Sequence, residues 1–312
     1  MRVIDRLEAI RPEEFPHGSC VAIGKFDGLH RGHQAILRSV RESSIAEARR
    51  SVVFTFANNP LSYLRPEACP QPLMSREQRL EAFEAAGIDV CVMLEFDAAL
   101  ASIPADRFVS EVLVERLRAR HVVMGSDFRF GHRGAGDGAL LRTLGAQHGF
   151  EADVLALVED GDTGQVSSSR VREAVLAGDV DAAARMLGRP PAVRGEVVHG
   201  DARGREIGFP TANLGGEIEG LVPADGVYAG WVVVHGRRRV AAISVGANVT
   251  FDPEGEPRVE AFVLDFDRDI YGERLEVQFA LRLRGMVRFD SLDALLAQMR
   301  ADVDATRSLL AG

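Results

Sequence analysis

Along the first half of the chain, short uninterrupted apolar runs alternate with stretches in which apolar residues recur every three or four positions. The runs at 19–23, 51–56, 90–94, 121–125 and 152–158 are β-rich and too short for helices, so they predict buried strands. Between them, residues 34–50 predict an amphipathic helix with Ile36, Leu37, Val40 and Ile45 on one side. Residues 106–118 predict another, with Phe108, Val112, Leu113 and Leu117 inward, and 138–148 a third. Ser75 followed by Gln78 is a capping-box pattern that opens one more helix. Strands and helices in this order predict an α/β domain, a parallel sheet covered by helices, with ligands at the carboxyl ends of its strands. The segments 24–33, 57–60 and 125–137 each follow a strand and so fall there.

Two short helices, 170–177 and 180–187, close this region, and Gly188-Arg189-Pro190-Pro191 breaks the pattern. Beyond it the period changes to two. Residues 193–199, 227–234, 239–245, 259–266 and 275–283 read as strands with glycine-bearing turns between them, which predicts an antiparallel sheet or small barrel. The tail, 291–310, carries Leu292, Leu295, Leu296, Met299, Val303 and Leu309 at helical spacing. The boundary therefore lies near Gly188, giving domains 1–187 and 188–312.

Composition narrows the class without naming a function. The 312 residues suffice for two cores, and 46% apolar with 27% charged residues is ordinary for a water-soluble globular chain. A net charge of −9 argues against a nucleic-acid backbone as partner. Cys20, Cys69 and Cys91 are odd in number and widely spaced, which fits neither a disulfide framework nor a zinc site and points to a reducing cytoplasm. No apolar signal core follows Met1, and no stretch approaches the ~18 apolar residues of a membrane span. Oligomeric state is not readable.

The chemistry-bearing stretch is Gly24-Lys25-Phe26-Asp27-Gly28-Leu29-His30-Arg31-Gly32-His33, between a strand and a helix start. A glycine-rich turn there lets backbone N–H groups approach a phosphate chain, and two histidines three apart add side-chain donors. No P-loop pattern and no dinucleotide fingerprint occurs. In the second half, Thr211 and Asn213 lie two apart, so an extended segment puts both on one face, where hydroxyl and amide oxygens suit magnesium shared with ATP phosphates. A turn at Pro210-Thr211 with Asn213 left-handed is the plainer alternative.

The H-x-G-H turn resembles the nucleotidyltransferase superfamily. The second half resembles bacterial riboflavin kinase domains through Arg-Gly-Glu-Val-Val-His-Gly at 194–200, Arg-Gly-Arg-Glu-Ile-Gly-Phe-Pro-Thr-Ala-Asn-Leu at 203–214, and the segments 223–229, 244–251, 259–266 and 284–291. The first half is similar to the FMN adenylyltransferase half of bifunctional FAD synthetases through 24–33, Gly-Ser-Asp-Phe-Arg-Phe-Gly at 125–131 and Ser-Ser-Ser-Arg-Val-Arg-Glu at 167–173. The matches follow one another in the family's order over nearly the whole chain.

The resemblance implies a Rossmann-like nucleotidyltransferase domain followed by a six-stranded antiparallel riboflavin kinase barrel with a terminal helix. It implies two reactions, riboflavin to FMN and FMN to FAD, each consuming ATP with Mg2+. It implies Glu260 as the base for the ribityl hydroxyl, with Gly204, Gly208, Phe209 and Pro210 against ATP and flavin. His30 and His33 would act at the α-phosphate and Arg170 at the β- and γ-phosphates. Gly24, Phe26, Asp27, Gly28, Gly32, Asn59, Asp127, Phe128, Ser168, Ser169 and Arg172 would line the nucleotide or flavin site. Phe128 reads equally well as core, and Ser169 as a helix cap. Faint likeness of Pro72-Leu73-Met74-Ser75 to a class I tRNA synthetase motif is accounted for by capping.

Three departures from the family pattern lie in the first half. Ala57-Asn58-Asn59-Pro60 stands where a carboxylate-Pro-His-Pro turn belongs, Ser126 where an acid is usual and Ala135 where a base is common. In the second half Gly285 replaces a usual Asp. These leave alternatives open at this stage: a riboflavin kinase with a degenerate or regulatory nucleotide-binding domain, a flavin-binding sensor, or a nucleotidyltransferase acting on another phosphate.

Overall fold

The computed structural model describes residues 1–161, 164–199, 208–246 and 258–310. The chain divides into two compact units, Met1–Ser167 and Ser168–Gly312.

The first unit holds a six-stranded sheet of β1 (Arg2–Ile4), β2 (Ser19–Ile23), β3 (Arg50–Phe56), β4 (Val90–Leu94), β5 (Ala119–Gly125) and β6 (Glu151–Leu155), in the order β1-β4-β3-β2-β5-β6. Every neighbouring pair is parallel. Because side chains alternate along a strand, the same strands feed two cores. Val21, Ile23, Val52, Phe54, Val90 and Val92 pack toward Phe108, Val112 and Leu113, while Cys20, Ala22, Val53, Cys91 and Val123 pack toward Ile36, Leu37 and Val40. Parallel strands buried on both faces explain why they read as unbroken apolar runs. The chain runs from β2 outward to β4 and then returns to place β5 on the other side of β2, so the direction of winding reverses at β2. That switch point opens a crevice at the carboxyl ends of β2 and β5.

Helix α1 (Arg31–Ala46) buries Ile36, Leu37, Val40 and Ser44. Ile45, expected on that face, is 63% exposed. Four residues beyond Val40 the helical period arrives at Ser44, whose hydroxyl is satisfied by the Arg41 carbonyl at 2.8 Å. Helix α2 (Pro60–Leu64) is one short turn, and α3 (Arg76–Ala85) opens on the expected Ser75–Gln78 capping box. The helix expected at 106–118 begins as α-helix at Ala105–Arg107 and continues as a π-helix over Phe108–Arg116, with Leu117 N–H reaching the Val112 carbonyl five residues back. Its four predicted inward residues are all buried. Helix Gly138–His148 and the small hairpin of Glu159–Asp160 with Gly164–Gln165 complete the unit.

The second unit opens with two helices, Ser168–Ala177 and Val180–Leu187, the latter contributing Val180 to the barrel core. Its six strands are Ala192–Val198, Ala212–Glu219, Gly226–Val234, Arg237–Gly246, Arg258–Val263 and Arg274–Arg284. They close into a barrel in which every neighbouring pair is antiparallel. Five are expected above from their alternation; Ala212–Glu219 is not, because Gly215 and Gly216 interrupt its pattern. The terminal helix, Leu292–Leu310, lies over the strands Gly226–Val234 and Arg237–Gly246. Its seam is mixed, with Leu295, Leu296, Met299 and Val303 of the expected stripe half-buried. Leu292 and Leu309 are 49% and 52% exposed, and the buried residues are Asp302 and Thr306. Asp302 takes Arg284 through Nε at 3.1 Å and Nη2 at 2.8 Å and also accepts from Gln298, so the helix is held by a buried charge pair.

Candidate active sites

In the first unit the 24–33 turn leaves β2 beside β3, with the Gly24 N–H donating to the Phe54 carbonyl at 3.2 Å. It reaches α1 through left-handed residues Phe26 (φ 51°), Gly28 (φ 78°) and Leu29 (φ 46°). For Phe26 and Leu29 that conformation is strained, and their fully buried side chains offset it. At Gly28 the left-handed φ favours glycine, and an added Cβ would sit 2.6 Å from Leu73 Cδ1 and displace that side chain. Asp27 Oδ1 accepts the Leu73 N–H at 2.9 Å.

His30 caps α1, its Nδ1 accepting the His33 N–H at 3.4 Å, so its proton resides on Nε2. The two imidazoles stack, with centroids 3.7 Å apart and planes 18° apart. Phe26 tilts against the His33 ring at 5.1 Å. Burial, together with the neighbouring His30, holds His33 well below its ordinary value of 6.5, so it is neutral at pH 7. Gly32 keeps the stack in place, since a Cβ there would approach His30 Cε1 and Nδ1 at 3.2 Å. The turn thus presents backbone N–H groups of a helix start and two imidazoles, that of His33 neutral, a constellation suited to an anion.

The two asparagines that depart from the family pattern serve the backbone. Asn59 Oδ1 accepts the Leu61 N–H at 3.0 Å and caps α2. Asn58 accepts the Phe96 N–H at 2.8 Å and donates to the Phe96 carbonyl at 3.2 Å, stitching the β3 and β4 loops together. Neither brings positive charge to the crevice. After β5, Asp127 lies beside Gly125, Phe128 packs partly buried against the core, and Arg129 pairs with Asp137 at 2.9 Å. Ser168, Ser169, Arg170 and Arg172 lie among the first five residues of the helix Ser168–Ala177 in the second unit, with Arg172 Nη1 3.4 Å from the Ser168 carbonyl.

On the barrel, strand pairing assembles the second site. Asn213 stands opposite Glu260, and Ser244 opposite Glu260 on the other side. Val259, Ala261 and Val263 point into the barrel core, so Glu260 and Phe262 face outward. Thr211 Oγ1 lies 3.5 Å from Glu260 Oε2, and Asn213 Nδ2 lies 3.5 Å from Thr211 Oγ1. Asn213 is buried and Glu260 half-buried. A hydroxyl, an amide and a carboxylate therefore converge from residues 49 apart in the chain. Phe209 rests on Phe262 at 5.2 Å; Gly208 is left-handed (φ 83°) and Pro210 exposed beside it. Gly204 lies outside the described residues. No group of three or more His, Cys, Asp or Glu gathers as a metal site among the described residues.

A turn suited to an anion at the switch point of a parallel sheet, and a carboxylate flanked by a hydroxyl and an amide on a closed barrel, are the two candidate sites of a nucleotide-dependent transferase. Residues 12–170 match the FAD synthetase family and residues 187–310 the riboflavin kinase family. A bifunctional riboflavin kinase/FMN adenylyltransferase of Pseudomonas fluorescens is 39% identical over 100% of this chain and 98% of that protein. One of the same description from Escherichia coli K12 is 34% identical over 92% of this chain and 91% of its own. A crystal structure described as a macrolide-efflux protein from Streptococcus pneumoniae superposes with a TM-score of 0.87 at 36% identity, covering 98% of each chain. Among the described residues, no helix here is long and apolar enough to cross a membrane. The chain belongs to the bifunctional riboflavin kinase/FMN adenylyltransferase family.

Proposed function

We propose that the two sites described above carry out the two reactions of this family in turn. Riboflavin and ATP give FMN and ADP; FMN and a second ATP give FAD and pyrophosphate. The division proposed is 1–187 for adenylyl transfer and 188–312 for phosphorylation, supported by a riboflavin kinase match that begins at residue 187.

In the phosphorylation step the ribityl hydroxyl is a weak acid, and Glu260 accepts its proton as it attacks the γ-phosphorus. Thr211 Oγ1 and Asn213 Oδ1 are hard oxygen donors on the same outward face and would hold Mg2+ with the ATP phosphates. When bound, the ion neutralises charge on the phosphates. Phe209 and Pro210 would wall the ligand, with Gly204 and Gly208 allowing the backbone to come close. The observation that carries this reading is the convergence of Thr211, Asn213 and Glu260 by strand register.

In the adenylyl step the FMN phosphate is already ionised, so no strong base is required and catalysis rests on alignment and charge stabilisation at the α-phosphate. The turn amides around Gly28 and Gly32, with His30 and His33, would supply donors there, with Gly24 at the start of the turn. Arg170, with Ser168, Ser169 and Arg172, would take the β- and γ-phosphates. Phe26 and Asp27 shape the turn, and Asn59, Asp127 and Phe128 would border the nucleotide or flavin. The three cysteines are free thiols, which supports a reducing cytoplasm as the site of action.

A timed chromatographic assay of the purified chain with riboflavin, ATP and Mg2+ tests both steps. FMN should appear first and FAD after it. No FMN at any time overturns the kinase reading; FMN that accumulates without FAD overturns the adenylyl reading.

A further inference from the structure

The segment from Pro72 to Arg79, which capping alone explains in the sequence, underlies the 24–33 turn. The Leu73 N–H holds Asp27, and the Leu73 side chain fills the space beneath Gly28. The Ser75–Gln78 capping box then sets the start of α3, and the next residue, Arg79, turns inward and is 7% exposed. Its Nη1 donates to the Phe56 carbonyl at 2.8 Å and to the Lys25 carbonyl at 3.4 Å, and its Nη2 to the Ala57 carbonyl at 2.7 Å. Its Nε is buried with no hydrogen-bond partner. One guanidinium therefore ties the loop after β2 to the loop after β3.

Among the described residues no carboxylate lies within salt-bridge distance of Arg79. A buried cation satisfied by carbonyl dipoles alone is costly, and its field is poorly screened. Burial lowers the Arg79 guanidinium from its ordinary value, and the nearby Asp27 carboxylate offsets part of that. The turn at Asn58 and Asn59 contributes no cation, and Arg79 is a buried positive charge hydrogen-bonded to both loops.

We propose that Arg79 is a positioning residue of the adenylyl-transfer site, locking the 24–33 and 57–60 loops together and holding a buried positive charge behind the bound phosphates. This rests on the adenylyl-transfer reading above. A planar fork spanning three carbonyls is a task for arginine; lysine keeps the charge and loses the span.

The test uses the full chain with Arg79→Met and Arg79→Lys. It reads FAD formation from FMN and ATP, FMN formation from riboflavin, and the rise in melting temperature of the first unit with magnesium pyrophosphate. For Arg79→Met, kcat/KM for ATP in FAD formation should fall about 10²-fold. The pyrophosphate-induced rise should be lost. FMN formation should stay within about twofold, since the barrel has its own core. Arg79→Lys should keep the pyrophosphate response while kcat for FAD falls about tenfold through misaligned loops. A lower melting temperature in Arg79→Met with the pyrophosphate response and KM for ATP unchanged would make the residue merely structural and overturn the proposal. Should Arg79→Met not fold, Arg79→Lys decides, and wild-type kcat there overturns it. If the wild-type chain makes no FAD, the adenylyl reading fails by itself, and loss or retention of the pyrophosphate response in Arg79→Met still judges the charge.

Discussion

The two sites are made in opposite ways. In the first unit the proposed working groups centre on ten consecutive residues, and the fold's task is to hold one strained turn at the end of a strand. Phe26 and Leu29 pay into that turn by burying their side chains, His30 caps the helix it introduces, and Leu73 and Arg79 brace it from behind. On the barrel no short segment suffices. Thr211 and Asn213 meet Glu260 because two strands pair in one register, and a slip of one residue would turn Glu260 into the core. A turn site tolerates change in the sheet behind it so long as the turn keeps its shape. A register site depends on closure of the whole barrel.

That contrast makes the two activities separable. The largest effect is expected from Glu260→Gln, which keeps shape and removes the base: FMN formation should fall about 10²- to 10⁴-fold while FAD formation from supplied FMN is unchanged. Parallel loss of both rates would show that the sites are not independent. Next comes Asp302→Ala, which strands Arg284 against the terminal helix. Calorimetry should show the barrel destabilised by about 3 kcal/mol, the low end for a pair whose arginine side chain is still 21% exposed. Replacing Arg284 by Met as well should return part of that loss, because no unpaired charge is then buried.

His33→Ala reverses the first experiment. FAD formation should drop about 10²-fold with FMN formation retained, and loss of the FMN rate would remove His33 from the adenylyl site. The smallest effect is the pH dependence of the turn. His33 is held below 6.5 in the folded chain, so protons bind more readily to the unfolded chain. Its contribution to stability is complete above 6.5 and is lost as pH falls below that value toward the folded one. The melting temperature of the first unit should therefore decline from about pH 7 to about pH 5 more steeply in the wild type than in His33→Gln. Equal slopes would mean that His33 is not held neutral.

Much of this was legible before any coordinates. Strands β2 and β4 and the helices Gly138–His148 and Val180–Leu187 have the expected bounds, because buried parallel strands and capped helices each carry their signal within a few neighbours. Misread positions share a cause. Ile45, Leu292 and Leu309 are apolar residues that the neighbours leave exposed, while Ser44, Asp302 and Thr306 take the buried places because each stripe faces a particular surface. The π-helical stretch and the glycine-broken strand Ala212–Glu219 escape because periodicity assumes one regular pitch.

Order along the chain, the change of period at Gly188 and the chemistry of the 24–33 turn are local properties, and local patterns of side chains encode them. Which residues 49 apart share a face, which arginine becomes a buried brace and which aspartate anchors the final helix depend on barrel closure, strand register and the packing of α3 beneath two loops. Those are relations between distant segments, and they exist only once burial and hydrogen bonding have fixed the segments against one another.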